Sequence, residues 1–111
     1  MEIGTEQKGN VMVIRLWGDL DLYHAGKFRQ TLDEIFGKGI YNLVFNLEKT
    51  PYIDSSGIGV LVYARTTVTK KGGKLALVNP QETILKVLDI SRLRAFFDIY
   101  SSEDEAIAQC S

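Results

Sequence analysis

Apolar residues follow two different spacings along the chain, and the segments that carry these spacings alternate. Short runs rich in β-branched and other apolar residues predict strands near residues 3–8 and at 11–18, 42–47, 74–78 and 96–100. Longer segments have apolar residues three and four positions apart, which predicts helices at 22–37 and 56–71, after Asn79 and from Ser102. The predicted order is therefore β-β-α-β-α-β-α-β-α.

The connections between these segments indicate how the strands pair. The segment "KGN" (8–10) is a tight turn, so the first strand is expected to lie antiparallel to the second at an edge. Each later strand is reached through a helix, which favours parallel pairing through right-handed crossovers. Residues 1–111 contain no linker and no internal repeat. The sequence thus predicts one α/β domain with a mixed, mostly parallel sheet, an N-terminal hairpin and about four helices.

Residues that favour the N-cap position precede each predicted helix. They are Asp21 for the first helix, Ser55 or Ser56 for the second, Asn79 for the third, with Pro80 in its first turn, and Ser102 for the fourth, with Glu105 at the spacing of a capping box. These residues predict where each helix begins.

Composition and charge narrow the class of protein. Hydrophobic residues make up 45% and charged residues 24% of the 111 residues, as in an ordinary globular domain. The formal net charge is −1 and Lys and Arg form no cluster, so no direct nucleic-acid partner is expected. The longest apolar runs fall short of the ~20 residues of a membrane helix, so no membrane association is expected either. Cys110 has no partner for a disulfide, which fits the cytoplasm.

No enzyme motif has the required spacing. Ser55 and Ser56 lack the preceding glycine of a nucleophile elbow, and His24 is the only histidine available to a catalytic triad. The segment "GIGVLV" has Val62 where a dinucleotide fingerprint needs its third glycine, and no lysine follows as in a P-loop. One histidine and Cys110 cannot form a zinc site. We therefore expect a non-enzymatic protein with no catalytic residue, no metal and no cofactor.

Two short loops, "GDLD" (18–21) and "YIDSSG" (52–57), follow predicted strands. Ligands of such folds bind at the carboxyl ends of the strands, so these loops form the candidate site. Backbone N–H groups at the start of the second helix favour a negative group there. Gly57 and Gly59 either let a partner approach the backbone or allow close packing of helix against strand, and the sequence leaves both interpretations open.

The residues "IDSSGIGVL" (53–61), with "GDLD" one helix and one strand earlier, resemble the STAS-domain family. The resemblance covers essentially the whole chain and is strongest to the free-standing members, the bacterial anti-sigma factor antagonists. It implies a protein that binds an anti-sigma factor while unphosphorylated and so releases a sigma factor. In this family the anti-sigma factor is also a serine kinase, and a separate serine phosphatase resets the switch.

The resemblance also implies roles for individual residues. Ser55 is expected to accept the phosphate, and Asp21 is expected to lie beside it and contribute to partner recognition. Asp54 precedes the acceptor, while Ser56 and Gly57 complete the turn. Ser56 is expected to point inward and bond a backbone N–H, which leaves Ser55 pointing outward. The expected partner-binding residues are Asp19, Asp21, Asp54, Ser55, Ser56, Gly57 and Gly59.

Two other functions remain open at this point. The N–H groups of "SSGIG" (55–59) could hold a nucleotide phosphate, which would make the chain a nucleotide-sensing STAS module, although this segment has no Lys or Arg. The other alternative is a scaffold component of a stress complex in the same family. The small size, without a sensor domain, favours the simple antagonist.

Overall fold

A computed structural model describes residues 1–111, which form a five-stranded sheet and four α-helices. The strands are β1 (Glu2–Lys8), β2 (Val11–Trp17), β3 (Asn42–Lys49), β4 (Lys74–Val78) and β5 (Asp98–Tyr100). The helices are α1 (Leu22–Gly37), α2 (Ser55–Lys70), α3 (Glu82–Ile90) and α4 (Glu103–Cys110), with a 3₁₀ turn at Arg94–Phe96. The strand order is β1-β2-β3-β4-β5, with β1 antiparallel to β2 and the other pairs parallel. The predicted fold class is confirmed.

Helices cover both faces of the sheet, which explains why its central strands are almost continuously apolar. Helices α1, α2 and α3 contribute to the larger core cluster, in which the rings of Phe28 and Phe45 meet edge to face with centroids 5.2 Å apart. Helix α4 packs on the opposite face against a smaller cluster that includes Val13 and Val44. Because α1 follows β2 and α2 follows the neighbouring β3, the N-termini of α1 and α2 lie side by side.

Arg15, which interrupts the apolar run of β2, attaches α4 to the sheet. Its guanidinium donates hydrogen bonds of 2.8 and 2.7 Å to the two carboxylate oxygens of Glu103 and lies 3.0 Å from a Glu6 oxygen. The side chain of Asn46 also donates to Glu103, at 2.7 Å. The bonds from Arg15, and then from Asn46, lower the pKa of Glu103 to about 2, although burial opposes this shift. The first turn of α4 is therefore held by a charged network.

The start of α3 differs from the prediction. The helix begins at Glu82 with Gln81 as its N-cap, so Asn79 is not the cap and Pro80 is not in the first turn. Asn79 adopts a left-handed φ of 48°, and its N–H donates to the carbonyl oxygen of Tyr100 at 3.0 Å. The residue therefore extends the pairing of β4 with β5 before the chain turns.

The other predicted boundaries differ by smaller amounts. The first helix occupies the predicted residues 22–37. The last strand is shorter than predicted, because Phe96 ends the 3₁₀ turn and pairing starts at Asp98. Ser102 is the N-cap of α4, and its hydroxyl accepts from the N–H of Glu105 at 3.2 Å. None of the helices has both the length and the apolar character needed to cross a bilayer.

Candidate functional site

The two loops that follow β2 and β3 are joined by backbone hydrogen bonds. The N–H of Gly18 donates to Lys49 O at 3.0 Å, and the N–H of Leu20 donates to Tyr52 O at 2.9 Å. A third bond, from Asp54 N to Leu20 O at 3.3 Å, completes a short parallel bridge between the loops. The loops "GDLD" and "YIDSSG" therefore form one connected surface.

Buried side chains support this surface from below. Leu20 and Ile53, one from each loop, are 0% and 3% exposed and belong to the main core. Thr50 is the one fully buried polar side chain, and its hydroxyl donates to Leu16 O at 3.1 Å, which ties the end of β3 to β2. Thr50 was not among the predicted site residues, because its role depends on a contact with Leu16, which is far away in the chain.

Asp54 is the N-cap of α2, so the prediction that Ser55 or Ser56 caps this helix is wrong. One carboxylate oxygen of Asp54 accepts from the N–H groups of Ser56 and Gly57 at 2.9 and 3.2 Å. The other oxygen accepts from the N–H of Leu22, the first residue of α1, at 3.0 Å. A carboxylate accepts more bonds than a hydroxyl and reaches both helices, which explains why Asp54 takes this position. This one side chain fixes the two helix N-termini relative to each other.

Asp21 is the N-cap of α1, as predicted. Its carboxylate accepts from the N–H groups of Tyr23 and His24 at 3.1 and 3.2 Å. The ring nitrogen Nδ1 of His24 lies 2.7 Å from the same oxygen, but outside the geometry of a hydrogen bond. His24 is therefore a partly exposed neighbour of the site, as expected of a boundary side chain.

The two serines differ in exposure. Ser55 is the first residue of α2 and is exposed, whereas Ser56 is partly buried. The expected hydrogen bond in which the Ser56 hydroxyl accepts from a backbone N–H is absent, because Asp54 already accepts from the first free N–H groups of the helix. This arrangement also weakens the nucleotide-sensing alternative, since the N–H groups of Ser56 and Gly57 are not free to hold a phosphate.

The two glycines of the site have different roles. A Cβ atom on Gly57 would clash with the backbone oxygen of Leu20 and lie 2.7 Å from Cγ1 of Ile53, so this glycine is required for packing. A Cβ atom on Gly59 would meet nothing within 4 Å, and Gly59 is exposed. Of the two interpretations left open by the sequence, close packing holds for Gly57, and open access to the backbone fits Gly59.

Three large apolar side chains that lie close in the chain to Asp21 and Asp54 are exposed. Leu22, Tyr23 and Tyr52 are 69%, 88% and 52% exposed, and they come from the same two loops and the first turn of α1. We call these three residues the apolar rim. Exposed aromatic residues at a loop surface are typical of protein-binding sites. These three residues were not among the predicted partner-binding residues.

The charge of the surface is negative. Asp19 is exposed and takes part in no ion pair, and neither Asp21 nor Asp54 is paired with a Lys or Arg. The site thus combines an exposed hydroxyl, three carboxylates and the apolar rim on a rigid pair of helix N-termini.

The fold and the site together define an α/β domain with a candidate binding surface at the N-termini of α1 and α2. The chain belongs to the STAS domain family, whose profile matches residues 2–106. It is 29% identical to the anti-sigma F factor antagonist of Paenibacillus polymyxa over 110 residues, which covers 98% of this chain and 94% of that protein. It is also 29% identical to the anti-sigma-B factor antagonist of Bacillus subtilis over 107 residues, or 96% of this chain and 97% of that protein.

Solved structures of SpoIIAA, an anti-sigma factor antagonist, have the same fold. The unphosphorylated form matches with a TM-score of 0.79 at 25% identity, covering 97% of this chain and 96% of that one. The phosphorylated form matches with a TM-score of 0.78 at 27% identity, covering 99% and 100%. This fold therefore exists in a relative with and without phosphate.

Proposed function

We propose that this chain is an anti-sigma factor antagonist, which binds an anti-sigma factor while unphosphorylated and thereby releases a sigma factor. Relatives named for this activity match over nearly their whole length, which supports the proposal. In the same proposal, the anti-sigma factor is a serine kinase that phosphorylates Ser55, and a serine phosphatase removes the phosphate.

The position of Ser55 is the observation that carries the proposal. It is the exposed first residue of α2, and Asp54 directly before it accepts two hydrogen bonds from α2 and one from α1. A kinase needs an accessible hydroxyl held in a defined geometry, and Ser55 offers one. Ser56 is partly buried behind it and is a poorer acceptor.

A phosphate on Ser55 would switch binding off by charge. It would add about −1.5 to −2 charges to a surface that already carries Asp19, Asp21 and Asp54. Because the N–H groups of Ser56 and Gly57 already donate to Asp54, they are not free to hydrogen-bond the phosphate. The phosphate would project toward the partner, and a partner surface that fits a neutral hydroxyl would then face a dianion, at a cost of several kcal/mol.

The apolar rim gives the unphosphorylated form its contact surface. Tyr23 and Tyr52 bring large buried areas to an interface at little cost in side-chain entropy, as aromatic hot-spot residues do. Tyr52 lies in the same loop as Ser55, and Tyr23 lies in the first turn of α1, which Asp54 joins to α2, so one partner would cover both the rim and the hydroxyl. Phosphorylation would then interrupt the same contact that provides the affinity.

Reconstitution with the partner tests this proposal. The chain is used to isolate its anti-sigma factor, which is identified by mass spectrometry, purified and incubated with the chain and ATP. We expect phosphate on Ser55 in the wild type, no phosphate on a Ser55→Ala variant that still binds, and continued modification of a Ser56→Ala control. Phosphate on Ser56, or full modification of Ser55→Ala, would contradict the proposal.

A further inference from the structure

The outer edge of β1 is the long unpaired strand edge of the sheet. All seven residues of β1 pair with β2, in unbroken register from Glu2 opposite Trp17 to Lys8 opposite Val11. On its other side β1 has no neighbouring strand, whereas the opposite edge of the sheet is the three-residue β5. Backbone N–H and C=O groups along such an edge are free to pair with another chain.

Two of the devices that usually protect a strand edge are missing from β1, although the strand does carry charged side chains. The strand contains no proline, and its pairing with β2 has no bulge. Glu6 is paired with Arg15 at 3.0 Å. Glu2 and Lys8, at the two ends of the strand, form no ion pair within the chain.

These two unpaired charges complement each other across a two-fold axis. If β1 pairs antiparallel with β1 of a second copy about Thr5, all seven residues pair. Glu2 then faces Lys8 of the partner subunit at both ends of the interface. Centring the pairing on Glu6 instead would bring two Glu6 side chains together, and centring it on Gly4 would bring Glu2 against Glu6 of the partner subunit. Like charges directly opposite are unfavourable in a sheet. The pairing of opposite charges and the number of paired residues therefore favour the same register, the one centred on Thr5.

We propose that the chain forms a two-fold symmetric dimer through β1, in which the two sheets become one continuous sheet with Thr5 on the axis. One strand per copy gives an interface at the small end of specific interfaces, so the dimer is expected to be weak and concentration-dependent. Ser55 follows β3, two strands away from this edge, and stays accessible in both copies. The proposal does not depend on the proposed function.

Exchange of charges tests the dimer and its register together. Sedimentation velocity over a range of concentrations should show a reversible dimer for the wild type. Glu2→Lys and Lys8→Glu should each shift the equilibrium to monomer, because like charges would then face each other, and the double variant should restore the dimer. Glu34→Lys, a charge reversal at an exposed and unpaired site of α1, is the matched control and should dimerise normally. A wild type that stays monomeric, or single variants that dimerise like it, would overturn the proposal.

Crosslinking gives a second test, which holds even if a charge variant fails to fold. In a Cys110→Ala background, Thr5→Cys brings two thiols face to face, at a Cβ separation of about 4.5–5.5 Å. Oxidised glutathione would take up their two electrons and two protons as the disulfide forms. Gln7→Cys is the control, since Gln7 faces Ile3 of the partner subunit. Selective dimeric crosslinking of Thr5→Cys supports the register, and equal crosslinking of both variants, or of neither, overturns it.

Discussion

Replacement of Asp54 should loosen both helices of the site at once. Its carboxylate accepts from Ser56 N and Gly57 N in α2 and from Leu22 N in α1. Loss of an N-cap side chain costs about 0.5–2 kcal/mol. The bond to Leu22 adds about 0.5–1.5 kcal/mol, because it crosses to another element and its donor would be left without this partner. Asp54→Ala should therefore lower the free energy of unfolding by about 1–3.5 kcal/mol, and by more than the loss of a cap alone.

Two matched variants separate the capping from the bridge. Asp21→Ala removes a carboxylate that caps only its own helix, so it should cost about 1 kcal/mol. Asp54→Asn keeps an oxygen that can accept from Ser56 and Gly57, but it turns an NH₂ group toward the N–H of Leu22. This variant should lose only the hydrogen bond to Leu22, so its free energy of unfolding should lie between those of the wild type and Asp54→Ala.

Urea unfolding monitored by circular dichroism measures these differences in the free energy of unfolding. Each kcal/mol should also lower the melting temperature by about 4 °C in a domain of this size. If Asp54→Ala lowers the free energy of unfolding no more than Asp21→Ala does, the hydrogen bond from Leu22 to Asp54 does not couple the two helices. The same conclusion holds if Asp54→Asn is as stable as the wild type.

Further predictions concern packing, pH and the apolar rim. Gly57→Ala should destabilise the fold by about 1–3 kcal/mol, because its Cβ would meet the backbone of the neighbouring loop. Gly59→Ala should be neutral or stabilising by up to about 1 kcal/mol, because its Cβ would meet no other atom. Thermal melting of the two variants compares these effects. The folded-state pKa of Glu103 lies at about 2, below its usual 4.5, so its stabilisation is complete above pH 4.5 and is lost as the pH falls toward 2. As the pH falls toward 2, the free energy of unfolding of Glu103→Gln, measured with urea, should decrease by about 3 kcal/mol less than that of the wild type. If both proteins lose the same amount, Arg15 does not stabilise the Glu103 carboxylate as proposed. Tyr23→Ala should weaken binding of the anti-sigma factor at least about tenfold without changing the melting temperature, and calorimetric affinity equal to that of the wild type would exclude this side chain from the interface.

Local patterns were sufficient to predict the fold and the first helix. The apolar residues of α1 recur at helical spacing, and Asp21 stands directly before them, so the cap and the helix face could be identified from adjacent residues. The antiparallel position of β1 followed from its short turn, and the parallel pairs followed from the intervening helices. Each of these features depends on residues close together in the chain.

Features that depend on distant contacts could not be predicted in this way. Asp54, Ser55 and Ser56 are three consecutive residues that all favour an N-cap, and the contact of Asp54 with α1 decides among them. Asn79 also favours an N-cap by residue type, and the sequence does not show its hydrogen bond to Tyr100. The apolar rim did leave a signal, since Leu22 and Tyr23 lie outside the buried stripe of α1 and nothing in the helix requires them to be apolar.

In the proposed switch, phosphate on Ser55 prevents partner binding without unfolding the domain. Titration calorimetry of the anti-sigma factor against the unphosphorylated and the Ser55-phosphorylated chain tests it most directly, with thermal melting of both forms. We predict a loss of affinity of about 100-fold or more, which corresponds to about 3 kcal/mol, and melting temperatures within a few degrees of each other. Equal affinity of the two forms, or a loss of affinity that accompanies unfolding, would contradict the account.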